Sequence, residues 1–349
     1  MSERGMREPE AAADVPNSAR EFLTEQGLAT PDETPRWTPM TGGVSSELWR
    51  VDLAGGPVAV KGALAKLKVA EDWYAPVNRN AVEWDWLVFA HSVSPGAVPV
   101  PLAHDERRGL FAMTFLPPED NPVWKQLLLD GAVRPADAAA VGDLVGRLHA
   151  CSCGDDSVAR RFRTDENFHQ LRIEPYFLAT AEQHPDLASA LREIAETTAA
   201  THRALVHGDV SPKNILIGRS NPVLLDAECA WYGDPAFDVA FVLTHLVLKA
   251  VFRPDSARLL EASASALLAA YEAQVVWEPA TDLRARAGRL LSALLLARID
   301  GKSPVEYLNP TQRNDVRRLA RSLVAGGPLE VTAVLTLAYE RVAASNLDR

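Results

Sequence analysis

The sequence predicts an α+β protein with two lobes, a small antiparallel sheet lobe followed by a larger and mainly helical lobe. Short runs that alternate apolar and polar residues fill the first part of the chain, as strands do, and helical periodicity dominates after residue 123. A length of 349 residues corresponds to about two domains. We therefore expect a flexible tail over 1–17, a sheet lobe over 18–117 and a helical lobe over 118–349.

The composition is that of an ordinary globular protein and argues against several classes of function. Hydrophobic residues make up 47% and charged residues 23% of the chain. The formal net charge of −10 disfavours sequence-independent binding to nucleic acid or to anionic membranes, and it would tolerate a cationic substrate. The longest apolar stretch, 240–252, is interrupted by Thr244, His245 and Lys249 and is too short to span a bilayer.

The cysteines and the N-terminal residues bear on the cellular compartment. The odd set Cys151, Cys153 and Cys229 does not form a disulfide framework and favours a reducing environment. Residues 1–16 are polar and acidic and lack the apolar region of a secretory signal. We therefore expect a cytoplasmic monomer or homodimer that binds neither a membrane nor nucleic acid.

The first lobe is expected to contain two helices and four strands. Ser18 is a typical N-cap for the first helix, and Gly55-Gly56 is a turn signal between two alternating runs. Apolar residues at i, i+4 and i+7, beginning at Val82, indicate the second helix, and Pro117 ends the last strand. The predicted elements are a helix over 18–27, strands over 48–53 and 57–61, a helix over 78–91, and strands over 98–103 and 110–116.

The second lobe is expected to be helical on both sides of one apolar and acidic patch. Residues 123–203 have helical periodicity, and residues 253–349 contain no strong strand pattern. The patch between them, 204–243, carries most of the residues that suggest chemistry. Nothing in the pattern indicates a role for the helical segment 310–349.

In this patch, acidic residues follow short apolar runs. Asp226 directly follows one such run, and Asp209 and Glu228 lie within three residues of a run. A carboxylate at the end of a buried strand is held rigidly, which suits metal binding or the orientation of a hydroxyl group. Asn214 adds a neutral oxygen ligand, and oxygen ligands without His or Cys are those that Mg²⁺ prefers. The patch therefore predicts a magnesium site.

The order and spacing of these residues resemble those of a known family. The matching residues are His207-Gly208-Asp209, Asn214, Asp226-x-Glu228, Gly233-Asp234-Pro235 and Asp238, and upstream the loop 41–47, the strand 58–61 and the helix 79–87. On these residues the chain is similar to the aminoglycoside phosphotransferase and choline kinase-like family of small-molecule kinases, over residues 20–250. The resemblance implies a bilobal protein-kinase-like fold. It also implies transfer of the γ-phosphate of ATP, with Mg²⁺, to a hydroxyl of a small molecule.

The resemblance implies roles for the acidic residues of the patch. Asp209 is expected to be the catalytic residue that accepts or orients the proton of the acceptor hydroxyl. Asn214 and Asp226 are expected to bind Mg²⁺ between the β- and γ-phosphates. Glu228 is expected to reach a second metal ion, directly or through water.

The nucleotide contacts implied by the resemblance lie in the first lobe. Lys61 would contact the α- and β-phosphates and be held by Glu83, with other nearby acids as alternative partners. Glycines in the loop 41–47 would let backbone N–H groups approach the phosphates closely. The expected contacts are Lys61, Glu83, Gly42, Gly43, Ser45 and Ser46, and the alternative partners of the lysine are Glu71, Asp72 and Asp85.

His207 and Asp238 are expected to be structural. The histidine would brace the loop that carries the catalytic residue rather than act as an acid or a base. Asp238 would accept hydrogen bonds from backbone N–H groups of that loop and begin the next helix.

The acceptor side is defined by two arginines. Arg172 lies in a mixed aromatic and charged segment, 167–176, which could line the acceptor site or form a surface turn. Arg298 interrupts an apolar helix over 290–299 and would need either an anionic ligand or a carboxylate such as Asp300.

We expect the acceptor to be a sugar, an aminosugar or an aminoglycoside-like alcohol. The Asp226-x-Glu228 spacing is similar to that of the methylthioribose kinases, and a choline or amino-alcohol kinase is a further alternative. The alternative from a different class is a pseudokinase that acts as a binding module. A pseudokinase would often have lost the catalytic and metal-binding residues that this chain retains.

Overall fold

The computed structural model of the chain describes residues 17–40, 46–63, 79–219 and 221–347. The described residues cluster into two compact units. One unit falls within Met1–Trp84 and Val100–Phe115, and the other within Asp85–Pro99 and Leu116–Arg349. Three of the sequence-based predictions lie outside the described residues: the tail before Asn17, the loop with Gly42, Gly43 and Ser45, and the alternative lysine partners Glu71 and Asp72.

The first unit is built on a five-stranded antiparallel sheet with the strand order β1-β2-β3-β5-β4. The predicted hairpin is present, and Leu53 pairs with Gly56 at its turn. The sequence pattern did not indicate the first strand, because it is a four-residue edge strand that ends in Pro39. The strands are β1 (Arg36–Pro39), β2 (Ser46–Leu53), β3 (Gly56–Ala63), β4 (Pro101–Asp105) and β5 (Leu110–Thr114).

Two helices begin in this unit, α1 (Asn17–Glu25) and α2 (Arg79–Val93), and α2 belongs to the other unit from Asp85 onward. The first helix buries Phe22 and Leu23 against apolar residues of the sheet such as Trp49 and Val60, which forms the core of this unit. Burying side chains of this size stabilises the unit by about 1.5–3 kcal/mol each.

The fourth strand begins three residues later than the pattern predicts. The carbonyl oxygen of Ala97 accepts a hydrogen bond from the backbone N–H of Leu224 at 2.8 Å. Pro99 has no N–H to donate to a neighbouring strand, and the strand starts at Pro101.

The second unit is mainly helical, as predicted, and holds two small two-stranded sheets. Its helices are α3 (Trp124–Asp130), α4 (Pro135–Ser152), α5 (Asp156–Arg161), α6 (Asp165–Phe168), a π-helix (His169–Leu178), α7 (Ala179–Gln183), α8 (Ala188–Ala200), α9 (Ala236–Phe252), α10 (Ala257–Glu272), α11 (Ala280–Asp300), α12 (Pro310–Ala325) and α13 (Val331–Leu347). The sheets pair β6 (Ala204–Val206) with β9 (Trp231–Gly233) and β7 (Ile215–Ile217) with β8 (Pro222–Leu224).

The apolar helix α9 runs through the interior of this unit. Nearly all of its residues are buried, including His245 and Lys249. A helix that is apolar on all sides is expected to be surrounded by protein, and α10 and α11 pack against it. None of the described helices combines the length and the apolar character that crossing a bilayer requires.

The segment 167–176 belongs to the interior, so its interpretation as a surface turn is wrong. Most of it forms the π-helix, in which Arg172, Tyr176 and Phe177 are buried. Pro175 lies within this helix and has no N–H to donate. A wide turn at this point is a common feature of functional sites, and it positions Arg172 toward the loop that follows β6.

Candidate active site

Asp238, a buried acid at the start of α9, holds the loop between β6 and β7 in place. Its carboxylate accepts hydrogen bonds from the backbone N–H groups of His207 at 2.7 Å and Gly208 at 2.9 Å. Gly208 has a φ of +78°, and a Cβ at this position would lie 2.7 Å from the carbonyl oxygen of Cys229. The predicted structural role of Asp238 is therefore confirmed.

His207 links the two strand ends that carry the acidic residues. Its Nε2 donates to the carbonyl oxygen of Leu225 at 3.1 Å, and its Nδ1 accepts from the backbone N–H of Asp209 at 3.1 Å. Burial lowers the pKa of this histidine, and its ring stands edge-on to Trp86 at 4.7 Å. Since both nitrogens are used in this way, the neutral ring braces the loop, as the sequence predicts.

Asp209 carries the main negative charge of the loop and is only 6% exposed. Its Oδ2 atom lies 2.9 Å from the guanidinium of Arg172 and 3.2 Å from the ammonium of Lys213. Burial alone would raise the pKa of Asp209, but the charges of Lys213 and Arg172 hold it well below its usual range. The carboxylate is therefore ionised at neutral pH, and Oδ1 takes part in neither contact.

Arg172 is the buried partner that holds this carboxylate in place. Besides Asp209, its guanidinium donates to the carbonyl oxygens of Gly208 and Leu171. It also lies over the rings of Tyr176 and Phe241, at 5.7 and 5.8 Å. These contacts use the planar fork of donors that an arginine offers. That Arg172 contacts the acceptor stays a prediction.

The candidate metal ligands Asn214 and Asp226 are joined through the backbone. The N–H of Leu225 donates to the carbonyl oxygen of Asn214 at 2.9 Å, and Asn214 Nδ2 donates to the carbonyl oxygen of Asp209 at 3.1 Å. The amide oxygen of Asn214 is thereby directed away from the loop backbone. Asp226 has a φ of +66°, an uncommon conformation for a residue other than glycine and one often found at functional sites.

The predicted metal set of Asn214, Asp226 and Glu228 consists of hard oxygen donors, which fits Mg²⁺. Glu228 lies close enough to Arg172 to raise the pKa of that guanidinium together with Asp209. Within the described residues, no group of three or more His, Cys, Asp and Glu side chains is arranged to hold a metal ion. The assignment of these three ligands stays a prediction.

The predicted pairing of Lys61 with Glu83 is present in the first unit. The ammonium of Lys61 on β3 lies 2.7 Å from the carboxylate of Glu83 on α2, and both side chains are buried. Asp85, an alternative partner, instead pairs with Arg161. A buried ion pair of this kind costs about 3–5 kcal/mol to break, because the remaining charge is left uncompensated.

Arg298 does not pair with Asp300, so that expectation is wrong. Its guanidinium donates to Ser303 Oγ at 2.9 Å and to the hydroxyl of Tyr176 at 3.3 Å. Asp300 instead binds Arg317. Two residues along an α-helix are rotated by about 200°, so these two side chains leave the helix on opposite sides.

Four residues near this region were not singled out from the sequence. Lys213 contacts Asp209, and Lys249 lies 4.9 Å from the centre of the Tyr307 ring. His245 and Lys249 interrupt the longest apolar stretch of the chain. That interruption is the feature of the sequence by which these two residues could have been found. The four are Lys213, His245, Lys249 and Tyr307.

Comparison with known proteins identifies the family. The family described as "Phosphotransferase enzyme family" matches residues 36–274, more than half of the chain. Methylthioribose kinase from Yersinia pseudotuberculosis serotype O:3 (strain YPIII) is 24% identical over 298 residues, which cover 76% of this chain and 71% of that protein. Methylthioribose kinase from Erwinia tasmaniensis is 27% identical over 271 residues, which cover 68% of this chain and 65% of that protein.

Solved structures share the fold at low sequence identity. An amicoumacin kinase in complex with AMP-PNP, Ca²⁺ and Ami is 13% identical with a TM-score of 0.54, covering 88% of this chain and 94% of that one. An ethanolamine kinase from Plasmodium vivax is 12% identical with a TM-score of 0.53, covering 94% and 86%. These structures support the kinase-like fold, and the predicted α+β class and family resemblance are confirmed.

Proposed function

The chain belongs to the phosphotransferase enzyme family, and we propose that it transfers the γ-phosphate of ATP, with Mg²⁺, to a hydroxyl group of a small-molecule acceptor beside Asp209. Its enzyme class is that of a small-molecule kinase. The observation that carries the detailed proposal is the state of Asp209, which is buried, ionised and fixed by Arg172 and Lys213.

Asp209 orients the acceptor hydroxyl and receives its proton. Phosphoryl transfer has a loose transition state, so the alignment of the acceptor oxygen contributes more than strong basicity does. The low pKa of Asp209 is consistent with this, because a weakly basic carboxylate takes the proton only as the new oxygen–phosphorus bond forms. The bond between the γ-phosphorus and the bridging oxygen of ADP breaks in the same step.

Lys213 supplies positive charge on the exposed side of the same carboxylate. Its side chain is 52% exposed, while its ammonium stays 3.2 Å from Asp209 Oδ2. A cation at this point stabilises the charge on the transferred phosphoryl group. Arg172, which is buried, acts as a positioning residue for Asp209.

Asn214 and Asp226 would hold Mg²⁺, and Glu228 would hold a second ion or a bound water. Mg²⁺ in kinases takes one or two carboxylates from the protein and completes its coordination with phosphate oxygens and water. When bound, the ion neutralises charge on the β- and γ-phosphates. In the first unit, Lys61 would contact the phosphates, with Glu83 fixing its ammonium.

A sugar-type acceptor is favoured by the relatives. The two methylthioribose kinases match 76% and 68% of this chain, and their name states a sugar acceptor. Methylthioribose itself is therefore one candidate acceptor, beside other sugars and aminosugars. For choline and other amino alcohols as acceptors, the support is limited to the fold that this chain shares with solved structures.

An ADP-release screen tests the proposal. Purified full-length protein is offered sugars, aminosugars, methylthioribose, aminoglycosides and amino alcohols with Mg·ATP, and Asp209→Ala serves as the blank. We expect acceptor-dependent ADP release that needs Mg²⁺ and is absent from the variant. ADP release that is equal in both proteins, or that no acceptor changes, would contradict the proposal.

A further inference from the structure

One face of α9 leads from the catalytic loop to a second group of charged residues. Phe241, His245 and Lys249 are four residues apart, so they lie on the same side of the helix. At 1.5 Å per residue, Lys249 is about 12 Å further along the axis than Phe241. Phe241 lies beneath the guanidinium of Arg172, which in turn holds Asp209.

Along this face, cations exceed carboxylates. Near the catalytic loop, both Arg172 and Lys213 are matched with Asp209. Further along, Lys125 pairs with Glu306. Arg298 and Lys249 have no ion pair within the described part of the chain, and yet Lys249 is only 1% exposed.

Two polar atoms in this described region also lack hydrogen-bond partners. Among the described residues, the Nε of Arg298 and the hydroxyl of Tyr307 are buried and have no hydrogen-bond partner. The ammonium of Lys249 lies over the Tyr307 ring at 4.9 Å, and Arg298 lies over Tyr176 at 5.8 Å. A buried donor without a partner costs about 1–3 kcal/mol, so an arrangement of several is retained at a real cost in stability.

The electrostatics of this region oppose further positive charge. Burial, together with Arg298 and Lys249, lowers the pKa of His245 well below its usual range. Burial lowers the pKa of Lys249 to about 7, with Lys125 adding to the effect and Glu306 opposing it. An anion placed among these groups would be bound favourably, whereas an ammonium group would be repelled.

We propose that Arg298, Lys249 and Tyr307 form a subsite for an anionic group, a carboxylate or a phosphate, carried by the acceptor. This inference rests on the proposed function, since it assigns the acceptor whose hydroxyl is phosphorylated beside Asp209. The guanidinium, the ammonium and the phenol offer hydrogen-bond donors, which an oxyanion accepts. The acceptor is then a hydroxylated acid or a phosphorylated sugar, and not an aminoglycoside or a choline-like cation.

The first test measures anion binding without turnover. Thermal unfolding of the full-length protein, with Mg·AMP-PNP present to fill the phosphate sites of the nucleotide, is followed against sulfate with sodium chloride balancing the ionic strength. We expect a saturable rise in Tm that chloride does not give, as a ligand of the native state produces. Lys249→Met and Arg298→Met should each lose at least half of this rise.

Two further variants serve as controls for the sulfate experiment. Arg318→Met removes an exposed cation of α12 that pairs with Asp315, and it should keep the full sulfate effect. Lys249→Arg retains a cation at the site and should keep part of the effect, even if Arg298→Met folds poorly. An equal sulfate effect in the wild type, Lys249→Met and Arg298→Met would overturn the subsite.

The second test compares sugar acceptors in which one substituent is neutral, cationic or anionic. ADP release is measured with glucose, glucosamine and glucuronate, and with ribose and ribose 5-phosphate. We expect kcat/KM to be at least about tenfold higher for the anionic member of each set, and we expect Lys249→Met to reduce the ratio of the anionic to the neutral kcat/KM severalfold. A preference for the neutral or the cationic member would overturn the subsite.

The two tests separate failure of the subsite from failure of the proposed function. Saturable sulfate binding through Lys249 without turnover of any acceptor would contradict the kinase proposal and leave the anion subsite standing. Turnover of neutral sugars without specific sulfate binding would leave the kinase proposal standing and contradict the subsite.

Discussion

The Asp209 loop and the Arg298–Lys249 region lie in the same helical unit and differ in how their charges are satisfied. In the loop, Asp209 has two cations, and the backbone N–H groups before it bind Asp238. Around Arg298 and Lys249, the described residues supply no ion pair to either cation, and buried donors remain without partners. In the first region the charged side chains are paired within the protein, and among its described polar atoms the buried Ser211 Oγ lacks a partner. In the second region the cations await a partner, which we propose is the anionic group of a ligand.

This difference separates two uses of buried charge. A satisfied network holds a reactive carboxylate in one position and one ionisation state, which is what alignment of a hydroxyl requires. A cluster of buried cations without partners lowers the stability of the native state. For the same reason it binds a group of opposite charge favourably. Substitutions should therefore have opposite effects on stability in the two regions.

The largest expected effect follows from Asp209→Ala. Removal of the group that orients the hydroxyl should lower kcat by about 10²–10⁴-fold while Mg·ATP binding is retained. Asp209→Asn, which keeps the shape but not the charge, should be almost as slow. Steady-state ADP release and nucleotide titration measure the two quantities, and near-wild-type kcat in either variant would contradict the assignment.

The next effect concerns the stability of the loop. Asp238→Ala leaves the backbone N–H groups of His207 and Gly208 buried without an acceptor, and it also removes a contact of His149 at 3.2 Å. Hydrogen bonds to a charged group are worth about 1.5–3 kcal/mol each, so the free energy of unfolding should fall by about 3 kcal/mol or more. Urea unfolding measures this change, with Asp238→Asn as a milder control, and a loss under about 1 kcal/mol would show that the bracing is unimportant.

In the Arg298–Lys249 region, a substitution should raise the free energy of unfolding instead of lowering it. Lys249→Met replaces a buried ammonium, which has no ion pair among the described residues, by an apolar side chain of similar length. The free energy of unfolding should rise by about 1 kcal/mol or more, since the cost of burying the charge disappears. The same urea experiment measures it, and a loss of stability comparable to that of Asp238→Ala would remove the contrast between the two regions.

A smaller and related effect should appear in the pH dependence of stability. The pKa of Lys249 is about 7 in the folded protein, against 10.5 for an ordinary lysine. Between these values the unfolded chain binds more protons, so this residue makes stability rise with pH from 7 toward 10.5. Urea unfolding of the wild type and Lys249→Met at pH 7 and pH 10 should show a smaller rise in the variant, and equal rises would contradict the lowered pKa.

The sequence predicted those parts of the site that depend on local order. Asp209 follows β6, Asn214 directly precedes β7, and Asp226 follows β8. Their backbones meet because the loop is short and is closed by His207 and Asp238. The pairing of Lys61 with Glu83 was expected from the family resemblance, and the structure brings the two buried side chains together.

The parts that were not predictable depend on tertiary position. Arg172 reaches Asp209 through a π-helix that contains a proline, and no periodicity indicates such a turn. For Arg298, the sequence left open an anionic ligand or an acid such as Asp300, and the pair with Asp300 is excluded because the two side chains lie on opposite sides of α11. Lys249 was visible only as an interruption of an apolar stretch, since its meaning depends on which helices surround α9.

The most direct test of the central claim is ³¹P NMR of the products formed from Mg·ATP and an accepted sugar or sugar acid. Transfer to a hydroxyl predicts a new phosphate monoester resonance that grows in equal amount with ADP in the wild type and is absent with Asp209→Asn. Inorganic phosphate as the only new product, or an equal yield of the ester with Asp209→Asn, would contradict the claim that Asp209 directs phosphoryl transfer to an acceptor hydroxyl.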